Sequence, residues 1–431
     1  MSHQFSLVSL GCARTLVDSE KMIDQLRRGG FAITPEGSGE QITILNTCSF
    51  IQSAIDETEA NIEALIAKKE AGDLKYVVVS GCYPSRFKKE ELTAKYPLVD
   101  LWLTTHEEGT IQEKLAAMVF KRRFTPVVPK QYLKLTPSHF AYIKISEGCD
   151  NWCSFCTIPK IRGKHTSKPL EEVITEAKLQ VSFGAKELIL IAEDTTCWGE
   201  DLYGKPSLPI LLEALAKVEG VEWIRAMYIF PPRVDEALVK VIKDNPTICR
   251  YLDMPIQHVN SELLKAMGRG STQDDLRRIY TLFKQEIPEL VFRTTLIIGF
   301  PGETEAHVDE LIAFIEQYPF TQLGAFLYSE ERETRSARLG DKVPREIAQK
   351  RLNRVMSAQK KSVQAQLASR KNETIQVLYE GDGIARSFRE APDVDGVVLI
   401  ANPESLKPGQ FYTATITGSK GYDTEARVLT R

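Results

Sequence analysis

Cys149, Cys153 and Cys156 stand in a CxxxCxxC spacing directly after the alternating apolar run Ala141-Tyr142-Ile143-Lys144-Ile145-Ser146 and the dipeptide Glu147-Gly148. A strand that ends in such a loop puts the thiols at the mouth of a β/α barrel, where folds of that kind keep their active sites. Three thiolates on so short a loop can each take one iron of a 4Fe-4S cluster, leaving the fourth iron open to a ligand that is not protein. Structural zinc asks for four ligands, usually as two CxxC-like pairs, and neither a second pair nor an HxxxH lies nearby. The spacing therefore reads as a redox-active metal site.

Further strand-like runs follow at 187–191, 223–227, 251–254, 292–298 and 322–327, separated by amphipathic helical patterns such as 171–183 and 274–286. With the cysteine-bearing strand they make six βα units over 139–343, a partial (β/α)6 barrel with a lateral opening. Upstream, over 1–120, apolar runs at 5–10, 42–45, 76–79 and 99–103 alternate with helices, as a doubly wound parallel α/β sheet requires. The first three runs end in Leu10-Gly11-Cys12, Asn46-Thr47-Cys48 and Ser80-Gly81-Cys82. Carboxyl ends of strands form the ligand crevice of such sheets, so Cys12, Cys48 and Cys82 are expected to converge as a second metal site. One strand-end cysteine would mean little, because Cys is a common core residue.

A basic linker, 121–138, carries Lys121-Arg122-Arg123, Pro126 and Pro129. A polar connecting helix occupies 344–372, with Arg345, Lys350, Arg351, Arg354, Lys360 and Lys361 on a face that is either solvated or a macromolecular contact. From 373 to 431, short β runs broken by Gly, Pro, Asn and Asp predict a small antiparallel β-barrel.

Composition fits a cytoplasmic enzyme: 43% hydrophobic, 26% charged and a net charge of −3 are ordinary and offer no global pull toward nucleic acid. The start, Met-Ser-His-Gln, shows no signal pattern, and no apolar stretch is long enough to span a bilayer. The eight cysteines are then reduced ligands or core residues, not a disulfide framework. Cys197 and Cys249 have no partners at ligand spacing and read as ordinary thiols.

The cysteine loop, with the aromatic Phe155 before its last cysteine, resembles the radical S-adenosylmethionine (SAM) superfamily. The chain as a whole looks like the methylthiotransferase family of radical SAM enzymes, ending in a TRAM-like barrel. The matching residues are Ser9-Leu10-Gly11-Cys12 with Leu16-Val17-Asp18-Ser19-Glu20, Ile145-Ser146-Glu147-Gly148-Cys149-Asp150-Asn151, Asp194-Thr195-Thr196, 251–258 and Ala391-Pro392-Asp393-Val394-Asp395-Gly396. They resemble the branch that modifies an aspartate of ribosomal protein S-twelve, the RimO type, more than the sister branch that methylthiolates an adenine of tRNA. The chain departs from that branch at Ala13-Arg14-Thr15, usually Pro-Lys-Asn, at Glu193, usually Gln, and at Glu333, usually Gly.

The resemblance implies two 4Fe-4S clusters. Cys149, Cys153 and Cys156 hold the one that cleaves SAM, and Cys12, Cys48 and Cys82 hold one that carries sulfur. SAM serves as both methyl donor and radical source, and the product is a methylthio group on the aspartate β-carbon. No acid or base residue is then needed as catalyst. Phe155 borders the adenine. Glu193, Asp194, Gln257 and His258 at strand ends are either SAM contacts or ordinary polar residues of a barrel mouth. Gly299-Phe300-Pro301-Gly302-Glu303 lacks the Lys-Ser/Thr of a phosphate loop and reads as close backbone approach to SAM or a tight turn. The basic stretch Lys160, Arg162, Lys164, His165, Lys168 is either a solvated loop or a contact for the SAM carboxylate or an acidic surface.

Ribosomal protein S-twelve, free or in the small subunit, is the expected partner, and the sulfur and electron donors are left unnamed. A tRNA partner demands a basic footprint. From Lys371 onward the chain carries seven basic against nine acidic residues, a net −2, so direct tRNA binding is disfavoured.

Overall fold

The computed structural model describes residues 3–120 and 133–429; Lys121-Arg122-Arg123, Pro126 and Pro129 lie outside them. The strands Gln4–Ser9, Ile42–Thr47, Tyr76–Gly81 and Leu101–Thr104, joined by the edge pair Ala32–Ile33, form one sheet. All its pairings are parallel, and in space the order is Ala32–Ile33, Gln4–Ser9, Ile42–Thr47, Tyr76–Gly81, Leu101–Thr104. The near-continuous apolar runs suit strands buried on both faces. Strand order reverses beside Gln4–Ser9, which fixes the crevice over its carboxyl end.

The second unit has six parallel strands in two halves. Phe140–Lys144, Glu187–Ile191 and Trp223–Ala226 make one, and Tyr251–Asp253, Val291–Ile298 and Gln322–Leu327 the other. A parallel bridge from Ile224 to Ile248 links the halves. Phe140–Lys144 and Gln322–Leu327 are left as the two edges of an unclosed barrel. The helix Ala13–Arg28 packs beside the first edge, its Val17, Ala13 and Leu16 meeting Tyr142, Ile189 and Ile191.

The connecting helix is Arg345–Ser369. Its basic residues are not all solvated: Arg351 is buried, its Nη1 donating to the Glu303 carbonyl at 2.9 Å and its Nε to Glu305 Oε1 at 2.6 Å. Exposed charge was expected there, yet a guanidinium with two carboxylates in reach can be buried.

The last unit is a closed five-stranded barrel of Thr374–Gly381, Ile384–Arg386, Val398–Ile400, Asp423–Val428 and Phe411–Lys420. Its pairs are antiparallel except one, the parallel pairing of Val398–Ile400 with Asp423–Val428 that closes it. It grips the floor of the larger barrel through residues 386–395. Glu187 Oε1 meets Arg225 Nε at 2.8 Å while Oε2 meets Arg386 Nη1 at 2.7 Å, all three fully buried. Beside them Tyr251 Oη donates to Asp395 Oδ2 at 2.6 Å and Tyr142 Oη to Asp393 Oδ2 at 3.1 Å. The Ala391–Gly396 motif is thus tied by hydrogen bonds to the barrel floor.

Candidate active site

Three strand ends of the first sheet come together because the backbone is allowed to touch there. Gly11 has φ +105°, and a Cβ on it would lie 2.9 Å from Cys48 Cβ, so a side chain would hold the first two strand ends apart. Cys12 then takes the N-cap position of Ala13–Arg28, where backbone N–H groups favour a thiolate. Cys82 opens the short helix Cys82–Arg86, and the Cys48 carbonyl accepts from Thr58 Oγ1 at 2.7 Å.

The barrel cysteines sit on a loop pinned at several points. Gly148 has φ +71°, with no room for a Cβ, which would lie 2.1 Å from the Lys164 carbonyl oxygen. Cys149 N donates to the Gly163 carbonyl at 3.1 Å and Ser154 N to the Met267 carbonyl at 2.8 Å. Arg335 Nη2 donates to the Trp152 carbonyl.

All six thiols line one cavity of about 300 Å³. Phe155, Glu193 and Gln257 share its wall, together with Arg14, Arg162, Arg269 and Tyr228. Asp194 and Gly299 are not among its lining residues. The Asp194 carboxylate is buried behind the wall, accepting from Asn151 Nδ2 at 2.7 Å and Arg233 Nη1 at 2.9 Å, so it braces the cysteine loop. Gly299 N donates to Glu303 Oε2 at 2.9 Å, and its Cα faces Ala348 of the connecting helix, where a Cβ would come within 2.6 Å of Ala348 Cβ. His258 is wholly buried, its Nδ1 accepting from Asn260 N at 3.0 Å. Cys197 and Cys249 are buried away from the cavity, Cys197 Sγ lying 3.3 Å from His165 Nδ1.

Cations stand against the sulfurs. Arg162 Nη2 is 3.6 Å from Cys82 Sγ, and Arg269 Nη1 is 3.4 Å from Cys153 Sγ. Burial works against a thiolate at Cys12, but the Arg14 guanidinium and a hydrogen bond from the Thr15 backbone hold it below the ordinary thiol range. Burial wins elsewhere: it pushes Cys82 and Cys149 up to about 12 and raises Cys48 and Cys156 as well. Such thiols release their protons to a metal, not to water.

Arg162 links the N-terminal triad to the base of the barrel's cysteine loop. Its Nη1 lies 2.6 Å from Glu147 Oε1 and 3.3 Å from Asp18 Oδ2, and Lys144 also pairs with Asp18. Sequence reading left Arg162 inside a basic stretch and missed Arg14, Arg269 and Tyr228; their partners are remote in the chain. Among the described residues no three His, Cys, Asp or Glu side chains are close enough to chelate a single ion. A cluster that takes one thiolate per iron asks for wider spacing than a mononuclear site. Soft thiol donors in two triads, backed by cations that offset an anionic group, fit that demand.

The barrel with its cysteine loop matches the Radical SAM superfamily model over residues 143–315, and this is a radical SAM enzyme. Residues 4–104 match the model described as Uncharacterized protein family UPF0004, and residues 373–429 match the TRAM domain. Among solved structures, the radical S-adenosylmethionine methyltransferase TsrM from Kitasatospora setae aligns over 78% of this chain and 74% of its own, with a TM-score of 0.58 and 14% identity, a likeness of fold alone. Two curated relatives match almost end to end, and both bear the name ribosomal protein uS12 methylthiotransferase RimO. That of Lachnoclostridium phytofermentans is 38% identical, over 96% of this chain and 98% of its own. That of Desulforamulus reducens is 39% identical, over 97% of each. The chain belongs to the family of ribosomal protein uS12 methylthiotransferases, RimO.

Proposed function

We propose that this enzyme methylthiolates the β-carbon of an aspartate in ribosomal protein uS12, using two 4Fe-4S clusters and SAM. The observation that carries the reading is the meeting of both cysteine triads on one cavity. Cys149, Cys153 and Cys156 hold one cluster, and Cys12, Cys48 and Cys82 the other. When bound, these groups supply a methyl group, a site for sulfur and hydrogen abstraction from an unactivated carbon, chemistry beyond any acid or base side chain.

The chain's own residues bind, orient and offset charge. Phe155 flanks the SAM adenine, while Glu193 and Gln257 offer acceptors to its ammonium or ribose. Asp194 acts indirectly by holding Asn151 and so the cysteine loop. Arg162 and Arg269 donate toward triad sulfurs, countering the negative charge of a thiolate-ligated cluster. Phe50, which lines the cavity and is 38% exposed, offers an apolar contact at which a substrate loop docks. Among the described residues no helix is long and apolar enough to cross a membrane, in keeping with a cytoplasmic enzyme that meets uS12 free or in the small subunit.

Anaerobic reconstitution tests this. The protein is expected to bind about eight irons, and Cys12→Ala or Cys149→Ala about four, in line with one cluster per triad. With SAM, a reductant and sulfide, a uS12 peptide offered beside bulk tRNA should gain a methylthio mass on aspartate. A gain on tRNA adenosine alone assigns the chain to the sister activity, and absence of SAM cleavage overturns the reading.

A further inference from the structure

A second cavity, of about 440 Å³, lies in the barrel lumen next to the first. The two share Gly11, Cys12 and Tyr228 at their junction. From there the lumen runs between Leu16, Ile189, Ile191 and Met227 to Ala391 and ends at Asp393 and Val394, which are exposed to solvent. Protein interiors are packed to crystal-like density, and unfilled volume costs stability. Here small side chains, Ala13 and Ala391, line a space that larger ones would fill.

The partition is built with some strain. Tyr228 holds a left-handed backbone at φ +60°, unusual for an aromatic residue. Its N–H donates to Asp253 Oδ2 at 2.9 Å, and its carbonyl accepts from Thr195 N at 3.2 Å. The Arg14 guanidinium lies 4.8 Å from its ring centroid. The ring is therefore fixed between the two spaces, with Cys12 beside it.

We propose that this lumen is a separate passage that admits a small uncharged thiol, such as hydrogen sulfide or methanethiol, to the N-terminal triad while SAM occupies the first cavity. The proposal rests on the methylthiotransferase reading. In that reaction the sulfur of SAM departs with its methionine or homocysteine part, so the transferred sulfur has to enter from elsewhere. Apolar walls favour a neutral guest over a charged one, which would lose its hydration without a counter-ion.

The test uses the reconstituted holoenzyme with methanethiol labelled by carbon-thirteen. Hyperfine coupling to the reduced N-terminal cluster, followed by freeze-quench paramagnetic resonance, reports arrival of the thiol. Two variants obstruct the passage: Ala391→Phe at its buried floor, and Val394→Trp at the exposed outer end, which spares the core. With SAM bound, the wild type should still take up methanethiol, and each variant should do so about tenfold more slowly, as for a narrowed entry path. SAM cleavage to 5'-deoxyadenosine should be unchanged. Uptake abolished by SAM, or left untouched by both variants, overturns the passage, as does absence of coupling in every form. Slowed uptake in the variants combined with no methylthio gain on uS12 keeps the passage and overturns the functional reading.

Discussion

Arg14 Nε lies 3.0 Å from Glu193 Oε1 across the cavity wall, with both side chains largely buried. The Glu193 carboxylate in the barrel mouth thus meets a guanidinium from the first sheet, and Arg162 Nε stands 3.5 Å from the same oxygen. Burial opposes the charge on Arg14, while Cys12 and Glu193 hold it above its ordinary range. Glu333 likewise pairs with Arg86, at 2.7 Å.

Removing one member of this pair should cost more than removing both. Arg14→Met is expected to lower unfolding free energy by about 2 to 4 kcal/mol, because a buried carboxylate loses its nearest partner. Adding Glu193→Gln should restore much of the loss, and a double-mutant cycle from urea melts measures the coupling. Additive costs would show that the two side chains act independently.

Gly148→Ala should empty one triad and spare the other. The added methyl would run into the Lys164 carbonyl oxygen, forcing the cysteine loop to shift. Iron content is expected to fall from about eight to about four per chain while the signal of the N-terminal cluster persists. Full iron loading in the variant would mean that the loop tolerates the shift.

The six-cysteine convergence was legible in the sequence because each thiol follows an apolar run, a local pattern. So were six barrel units and a β-rich end. The edge strand Ala32–Ile33 and the strand Ile384–Arg386 are too short to show a period of two. The parallel closure of the small barrel depends on a long-range pairing that no local signal announces. Arg351 reads as one of several solvent-facing cations until Glu303 and Glu305, dozens of residues earlier, are seen beside it. Arg162 likewise takes its meaning from Asp18 and Cys82 in another unit.

His258 should make stability fall on acidification. Burial lowers its imidazole from 6.5 to about 3, so the folded state keeps it neutral. The unfolded chain binds a proton below the ordinary histidine value, so this contribution is present above about pH 6.5 and is lost as pH falls toward about 3. Between about pH 7 and about pH 5 the loss is about 2 kcal/mol. Urea midpoints at both values should draw together in His258→Asn, and an unchanged pH slope in that variant would refute the assignment.

Glu187→Ala should be among the most damaging substitutions outside the cavity. It leaves the buried Arg225 and Arg386 without their shared carboxylate, a change expected to cost about 3 to 5 kcal/mol. Limited proteolysis should then release the C-terminal barrel sooner than in the parent protein. Equal cleavage rates would place the adhesion of that module elsewhere.

The shared Glu187 also bears on how such chains can be recombined. A C-terminal module lifted away would leave Arg225 and Glu187 as a pair stripped of their third member and open to water, and one grafted in without an equivalent of Arg386 would seal them beneath an incomplete charge balance. Exchange of this module between relatives is therefore governed less by the barrel it forms than by the segment 386–395, which has to travel with it as a key cut for one floor.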